Sequence, residues 1–176
     1  ATRAERFNEQ DFETTFLLAR LARKRGQIDA MSTLLKRAVT LGLNRERARR
    51  EEALALAQTG TLLDLEKRLP QLLMEQLGDG REICEAFTNG FLVHGRFAEA
   101  TSLVQQWQQA YPQDSLPDVM LGRVTEFDRL PEEAERHYRR ALQKNSADLM
   151  AAYGLGRVLI NLNRISDAAD EFRRGL

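Results

Sequence analysis

The side chains that most often carry out chemistry in proteins are few in this sequence and stand apart from one another. The two histidines, His94 and His137, lie far apart in the chain, whereas metal-binding histidines on one helix need a spacing of three or four residues. We interpret each as a surface or interhelical histidine. Cys84 is the only cysteine, so an internal disulfide cannot form, and we interpret it as a small buried apolar residue.

Carboxylates and glycines offer no better candidate for an active site. The acidic pair Glu132-Glu133 follows Pro131, which is typical of the first turn of a helix, where acidic side chains favour the helix dipole. The Gly-Asp-Gly stretch at 78–80 lacks the Lys-Ser/Thr of a phosphate-binding loop and is predicted to follow a helix rather than a strand. We therefore predict no enzymatic activity, no catalytic residue, no metal site and no cofactor.

Composition and charge favour a folded protein without a general affinity for polyanions. Apolar residues make up 43% of the 176 residues, enough to bury a core. The 26 basic residues are balanced by 26 acidic ones, whereas nucleic-acid affinity usually comes from a positive excess. The balance is uneven, because residues 1–50 carry 12 Lys/Arg and 6 Asp/Glu. We expect a basic amino-terminal part and an acidic remainder.

The chain shows no targeting or membrane signal. It has no run of about 18 apolar residues, so we predict no membrane span. Its polar start lacks an initiator Met and a signal-peptide core, and we expect a piece of a longer protein. The compartment stays open, with the cytoplasm slightly favoured.

The elements that position these residues are predicted to be helices throughout. Most of the four prolines and eleven glycines separate apolar stretches with helical spacing, and no segment alternates like a half-buried strand. The stretches repeat with a period of about 34 residues, which indicates a repeat architecture. The residues that recur in step are Leu121-Gly122 and Leu155-Gly156, Ala134 and Ala168, Tyr138 and Phe172, and Ala141 and Gly175.

In these residues the sequence resembles the tetratricopeptide repeat (TPR) family, whose unit is a pair of antiparallel helices. The resemblance implies an all-α fold, a right-handed α-α superhelix (solenoid) of about five helix-turn-helix repeats, forming a single domain over residues 1–176. Turn glycines at Gly26, Gly60 and Gly95 fit such a unit. The five units are predicted at about 12–45, 46–80, 81–114, 115–148 and 149–176, the last one truncated.

Two units depart from the family pattern. Residues 46–80 contain one extra residue, which leaves their register open by one, and Pro70 predicts a kinked or broken second helix there. Trp107 stands where the family has a small residue, so we expect it to push the packing apart or to turn its ring outward.

In the family, the first helix of each unit lines a concave groove, and this implies a set of partner-binding residues. A ladder of Arg20, Asn89, Arg123 and Arg157 occupies one relative place in four units, and Arg50 and Tyr153 complete the predicted site. Phe16, Glu85 and Val119 share the row of Tyr153, and Arg23 or Lys24, Leu92, Glu126 and Ile160 form the next row. Arginine forks bind carboxylates or backbone carbonyls, so a peptide ligand is expected to carry acidic groups. The alternative is that these arginines only solvate the inner face and pair with Glu85 or Glu126.

Three classes of function remain open at this stage. A non-catalytic scaffold that binds a peptide or protein segment in the groove explains the repeat and the neutral charge together. A regulatory or oligomerisation module of a larger protein is the alternative, with self-association through an exposed carboxy-terminal edge at Leu159, Phe172 and Leu176. Nucleic-acid binding is less favoured, although Arg45, Arg47, Arg49 and Arg50 form a basic cluster. A chaperone-tail clamp is disfavoured, because Glu85 stands where a clamp lysine is required.

Overall fold

A computed structural model describes residues 11–74 and 80–174, and these residues form ten α-helices without any strand. The helices are α1 (Phe12–Lys24), α2 (Ile28–Thr40), α3 (Arg45–Gln58), α4 (Leu63–Met74), α5 (Gly80–Val93), α6 (Phe97–Ala110), α7 (Leu116–Phe127), α8 (Pro131–Lys144), α9 (Leu149–Asn161) and α10 (Ile165–Arg174). Helices α1 and α2, α5 and α6, α7 and α8, and α9 and α10 pack as hairpins. The predicted all-α repeat fold is confirmed.

Contacts within the chain divide it into two compact units. Residues Ala1–Ala57 form the first unit and Gln58–Leu176 form the second. The first unit contains α1, α2 and nearly all of α3, and the second contains α4 to α10. A single repeat domain over the whole chain stays a prediction.

The turn inside each predicted repeat contains one residue with a left-handed backbone. Positive φ angles occur at Gly26 (72°), Gly60 (92°), Gly95 (66°), Arg129 (62°) and Asn163 (59°). Successive members of this series are equally spaced along the chain, except that Gly95 follows Gly60 one position later than the spacing requires. The extra residue therefore lies between these two turns. Glycine takes this conformation without steric cost, whereas the last two turns hold an arginine and an asparagine in it.

The first unit has its own apolar core and a buried ion pair. Phe16, Met31 and Leu35 are at most 6% exposed and lie in one cluster. Asp11 begins α1 by accepting a hydrogen bond from the Glu13 N–H at 3.2 Å. Arg23 of α1, which is 2% exposed, pairs with Glu51 of α3. Arg23 and Lys24 were the two alternatives on α1 for the predicted groove. Arg23 lies inside the unit and not on a groove surface.

The core of the second unit depends on aromatic rings that lie against glycines. The ring of Tyr138 (1% exposed) is so close to α7 and α9 that a Cβ added at Gly122 or Gly154 would approach it to 2.7 or 2.5 Å. A Cβ added at Gly156 would come still closer to the Phe172 ring. Atoms do not approach this closely, so only glycine allows these helix crossings.

Three local expectations are contradicted in part. Helix α4 is not broken, because it runs through Pro70 to Met74 with the exposed proline on its surface, and a kink there stays a prediction. The Trp107 ring is not turned outward, since it is 2% exposed, and locally widened packing stays a prediction. Leu159 is fully buried and so does not belong to an exposed apolar edge, whereas Phe172 is half-buried. Leu176 lies outside the described residues.

Candidate functional site

The predicted binding residues of the second unit come from three first helices. Helix α7 lies between α5 and α9 and contacts both. The side chains that these helices leave wholly or partly exposed include Asn89, Arg123, Glu126, Tyr153 and Arg157. We call these five residues the first-helix surface. The first-helix surface therefore contains four of the six predicted site residues. Its fifth member, Glu126, belongs to the neighbouring row of the prediction.

Glu126 is the centre of a hydrogen-bonded network on this surface. Its Oε2 atom accepts a hydrogen bond from the Tyr138 hydroxyl at 2.9 Å and lies 2.5 Å from Arg157 Nη2. The hydrogen bond to Glu126 raises the pKa of Arg157, and burial raises the pKa of Tyr138. Arg157 therefore pairs with a carboxylate of the protein itself. This is the alternative given above, in which the arginines of the ladder pair with glutamates of the inner face.

Arg123 stands in a different environment. Its side chain is partly exposed, and its Nη1 atom lies 3.5 Å from the Met120 sulfur, a weak acceptor. Within the described residues, no carboxylate oxygen lies within ion-pair distance of its guanidinium group. Arg123 therefore retains donors that a carboxylate from outside the chain could accept.

Tyr153 and Asn89 are the other predicted site residues on these helices. The Tyr153 side chain is 60% exposed, and its ring lies 5.6 Å from the Arg157 guanidinium carbon and 6.1 Å from the Phe172 ring. Asn89 has its Oδ1 atom buried without a hydrogen-bond partner in the described part of the chain. The exposed aromatic ring is a group that a bound segment can contact, whereas the buried Oδ1 atom of Asn89 is not accessible to one.

The other two predicted site residues belong to the first unit. The Arg20 guanidinium carbon lies 5.9 Å from the Phe16 ring, and Arg50 is a partly buried residue of α3. Three neighbours predicted to line the groove are instead core residues: Phe16 (6% exposed), Val119 (1%) and Leu92 (6%). The periodicity placed them on the correct helices, but burial by adjacent helices removes them from any binding surface.

A buried charged cluster escaped the sequence analysis. Asp118 of α7 is 0% exposed, and it accepts a hydrogen bond from Gln108 Nε2 of α6 at 2.8 Å. It also pairs with Arg140 and with Lys144 Nζ at 2.7 Å, both on α8. The four residues join three helices and are scattered over the sequence, so only their spacing in the folded chain reveals them. The carboxylate of Asp118 is buried while Arg140 reaches the surface, and the cluster connects α6, α7 and α8.

Cys84 lies beside a small cavity of about 250 Å³, whose lining includes Trp107 and Leu103. Burial raises the pKa of its thiol to about 12, so at neutral pH it is an uncharged and unreactive group. The described residues contain no group of three or more His, Cys, Asp or Glu side chains that could hold a metal ion. None of the described helices has the length and hydrophobicity needed to span a membrane.

Stacked helical hairpins with a left-handed residue in each turn define the class of α-helical repeat proteins. A sequence model of the tetratricopeptide repeat family matches residues 120–176, where the repeat period is clearest. This match shows tetratricopeptide repeat sequence in residues 120–176, and the helical-hairpin fold agrees with it.

Solved structures of the same fold cover nearly the whole chain. The MamA structure "41-end from Desulfovibrio magneticus RS-1" is 15% identical and has a TM-score of 0.58, over 96% of this chain and 94% of that one. The pilF protein of Pseudomonas aeruginosa is 18% identical with a TM-score of 0.62, over 94% and 76%. MamA of AMB-1 is 14% identical with a TM-score of 0.53, over 93% and 89%. Comparison with curated proteins finds no match. At these identities the likeness shows the fold.

Proposed function

We propose that this chain is a non-catalytic scaffold whose first-helix surface binds a carboxylate-bearing segment of another protein. The observation that carries the proposal is Arg123, which is partly exposed on the middle helix and pairs with no carboxylate among the described residues. The exposed ring of Tyr153, on the next first helix, adds to it. A charged donor beside an aromatic surface suits an acidic peptide.

Arg157 has a supporting part in this proposal. Since Glu126 already pairs with it, a ligand carboxylate at Arg157 would have to compete with a bond inside the protein. We therefore expect the first carboxylate of the ligand at Arg123, with Arg157 contacting the ring of Tyr153. In the first unit, Arg20 and Arg50 stay predicted binding residues of their own helices.

The basic cluster of α3 gives nucleic-acid binding little support. Arg47 pairs with Glu13 at 2.6 Å, and Arg49 pairs with Glu46 at 2.9 Å. These carboxylates reduce the local positive field that a phosphate backbone would require. A protein ligand is therefore favoured over a nucleic acid.

The test uses fluorescein-labelled decapeptides in which two glutamates vary in position, compared with the same peptides carrying glutamine. We expect fluorescence anisotropy to detect binding of some acidic peptides and none of the glutamine set. Arg123→Gln should weaken that binding at least about tenfold, because a charge-assisted hydrogen bond contributes about 1.5–3 kcal/mol. The matched control is Arg136→Gln, an arginine of the same repeat whose side chain is 73% exposed on α8.

Two outcomes would reject the proposal. In one, no acidic peptide binds. In the other, Arg123→Gln and Arg136→Gln weaken binding equally, which would indicate a nonspecific response to net charge. Salt-sensitive binding of a labelled single-stranded RNA, with no peptide binding, would move the assignment to nucleic acid.

A further inference from the structure

Three helices of the second unit contribute to the cavity beside Cys84. Its buried wall is formed by Cys84 of α5 with Leu103 and Trp107 of α6, which are 5%, 4% and 2% exposed. Leu73 of α4 and the exposed Ala110 at the end of α6 also line it. The cavity therefore has an apolar interior and a rim that reaches solvent, so a small molecule has access to it.

The indole group of Trp107 carries a hydrogen-bond donor that the described residues leave unsatisfied. Its Nε1 atom is buried and has no hydrogen-bond partner among them, although a buried tryptophan N–H usually finds one. Asp114 Oδ2 and Asp118 Oδ2 are also buried without a hydrogen bond, but each lies within ion-pair distance of a cation. The indole N–H has no such compensation, so an acceptor from outside the chain would remove a cost to folding.

The size and the charge of the cavity limit what it can hold. Its volume is about 250 Å³, whereas an apolar cavity of about 150 Å³ is large enough for benzene. None of its described lining residues is charged, and an ion without a counter-charge is costly to bury. The cavity therefore suits an uncharged molecule with the size of one ring and a few further atoms.

We propose that this cavity binds a small, uncharged and mainly apolar molecule with one oxygen that accepts a hydrogen bond from the Trp107 indole N–H. The apolar wall contributes the hydrophobic part of the affinity, and the single donor fixes the orientation of the ligand. The site shares no residue with the first-helix surface, so this inference does not depend on the proposed peptide ligand.

Water fits this cavity less well. A buried water typically makes about three hydrogen bonds. Among the described residues, the buried wall offers it only the indole N–H and the Cys84 thiol, and a thiol is a weak hydrogen-bonding group. A ligand with an apolar body and one acceptor matches these surroundings better, because it needs a single polar partner.

Trp107 is the only tryptophan of the chain, so a proton–nitrogen correlation spectrum contains one indole N–H signal, which reports on this cavity directly. The test titrates acetophenone, an aromatic ketone, into the isotope-labelled whole chain. We expect the indole signal to move downfield in the proton dimension, and to saturate, as the N–H donates to the ketone oxygen. α-Methylstyrene has the same shape with a methylene group in place of the oxygen, and it should not produce the downfield shift.

A larger side chain at the rim tests where the ketone binds. Ala110→Leu should raise the dissociation constant of acetophenone at least about fivefold, because the added atoms occupy part of the cavity. Since this position is exposed, we expect the fold to be retained. The matched control is Ala98→Leu, at an exposed alanine of the same helix that does not line the cavity, and it should leave the dissociation constant unchanged.

Three results would overturn the inference. An indole signal that stays in place up to the solubility limit of acetophenone would show that the N–H takes no acceptor from a ligand. The same downfield shift with α-methylstyrene would reject the hydrogen bond. Equal weakening of acetophenone binding by Ala110→Leu and Ala98→Leu would place the ketone outside this cavity.

Discussion

At the scale of single residues, the packing of the last two repeats depends on large aromatic rings that lie against glycines. Tyr138 is enclosed between Gly122 and Gly154, and its hydroxyl bonds to Glu126. Phe172 lies against Gly156 but is only half-buried. The Tyr138 ring is therefore held in place on all sides, whereas the Phe172 ring in the next repeat has room to move.

This difference predicts unequal effects of the same substitution. Gly154→Ala should destabilise the fold by about 1–3 kcal/mol, because the added Cβ meets a ring that cannot move. Gly156→Ala should cost less, since Phe172 can shift toward solvent, and Gly156→Leu should cost more than Gly156→Ala. Urea denaturation followed by circular dichroism measures each effect. Gly80→Ala is the control, because its Cβ would meet only the Tyr111 hydroxyl at 3.6 Å; an equal loss in all variants would contradict the size argument.

At the scale of helices, the buried carboxylate of Asp118 connects α6, α7 and α8. It contacts Gln108, Arg140 and Lys144, so one side chain satisfies polar groups from two other helices. Arg140 and Lys144 have side chains 45% and 19% exposed. Water can therefore hydrate the charged groups of Arg140 and Lys144 when the carboxylate is removed.

Asp118→Ala should destabilise the fold by about 1–3 kcal/mol, less than for a pair in which both partners are sealed from water. Asp118→Asn should lose less, since an amide oxygen still accepts from Gln108. The measurement is the free energy of unfolding in urea at low and high salt. Arg139→Gln, an exposed arginine on the same helix as Arg140, is the comparison. A loss for Asp118→Ala no larger than for Arg139→Gln would contradict the cluster's role.

At the scale of the whole molecule, the two compact units differ in what they can bury alone. The second unit holds three hairpins from α5 to α10, with continuous packing from α5 through α9 to α10. The first unit, which ends at Ala57, holds only three helices among its described residues. Repeat stability grows with the number of stacked neighbours, and domains of about 60 residues are marginal.

We expect residues 58–176 to remain folded when expressed without the first unit. Thermal unfolding followed by circular dichroism at 222 nm should show a cooperative transition, and the proposed acidic-peptide binding at Arg123 should persist. Residues 1–57 alone should melt at a much lower temperature or without cooperativity. Loss of cooperative unfolding in the longer fragment would show that the repeats of the second unit depend on the first.

The sequence by itself determined the helical fold, the repeat period and the helix that each predicted binding residue occupies, because these follow from local spacing and from Gly, Pro and aromatic residues at fixed intervals. It also predicted the turns at Gly26, Gly60 and Gly95, but not the left-handed Arg129 and Asn163. Asparagine adopts a left-handed backbone more readily than most residues, so Asn163 carried a weak signal, whereas Arg129 carried none.

Only the tertiary structure decided which periodic residues face solvent and which charges pair. Val119 and Tyr153 occupy the same place in successive repeats, yet one is 1% and the other 60% exposed. The difference arises because burial depends on the neighbouring hairpin, which a residue's own repeat does not encode. Likewise, Arg123 and Arg157 are equivalent in sequence, but of these two arginines only Arg157 pairs with Glu126, since an ion pair between helices depends on how those helices pack.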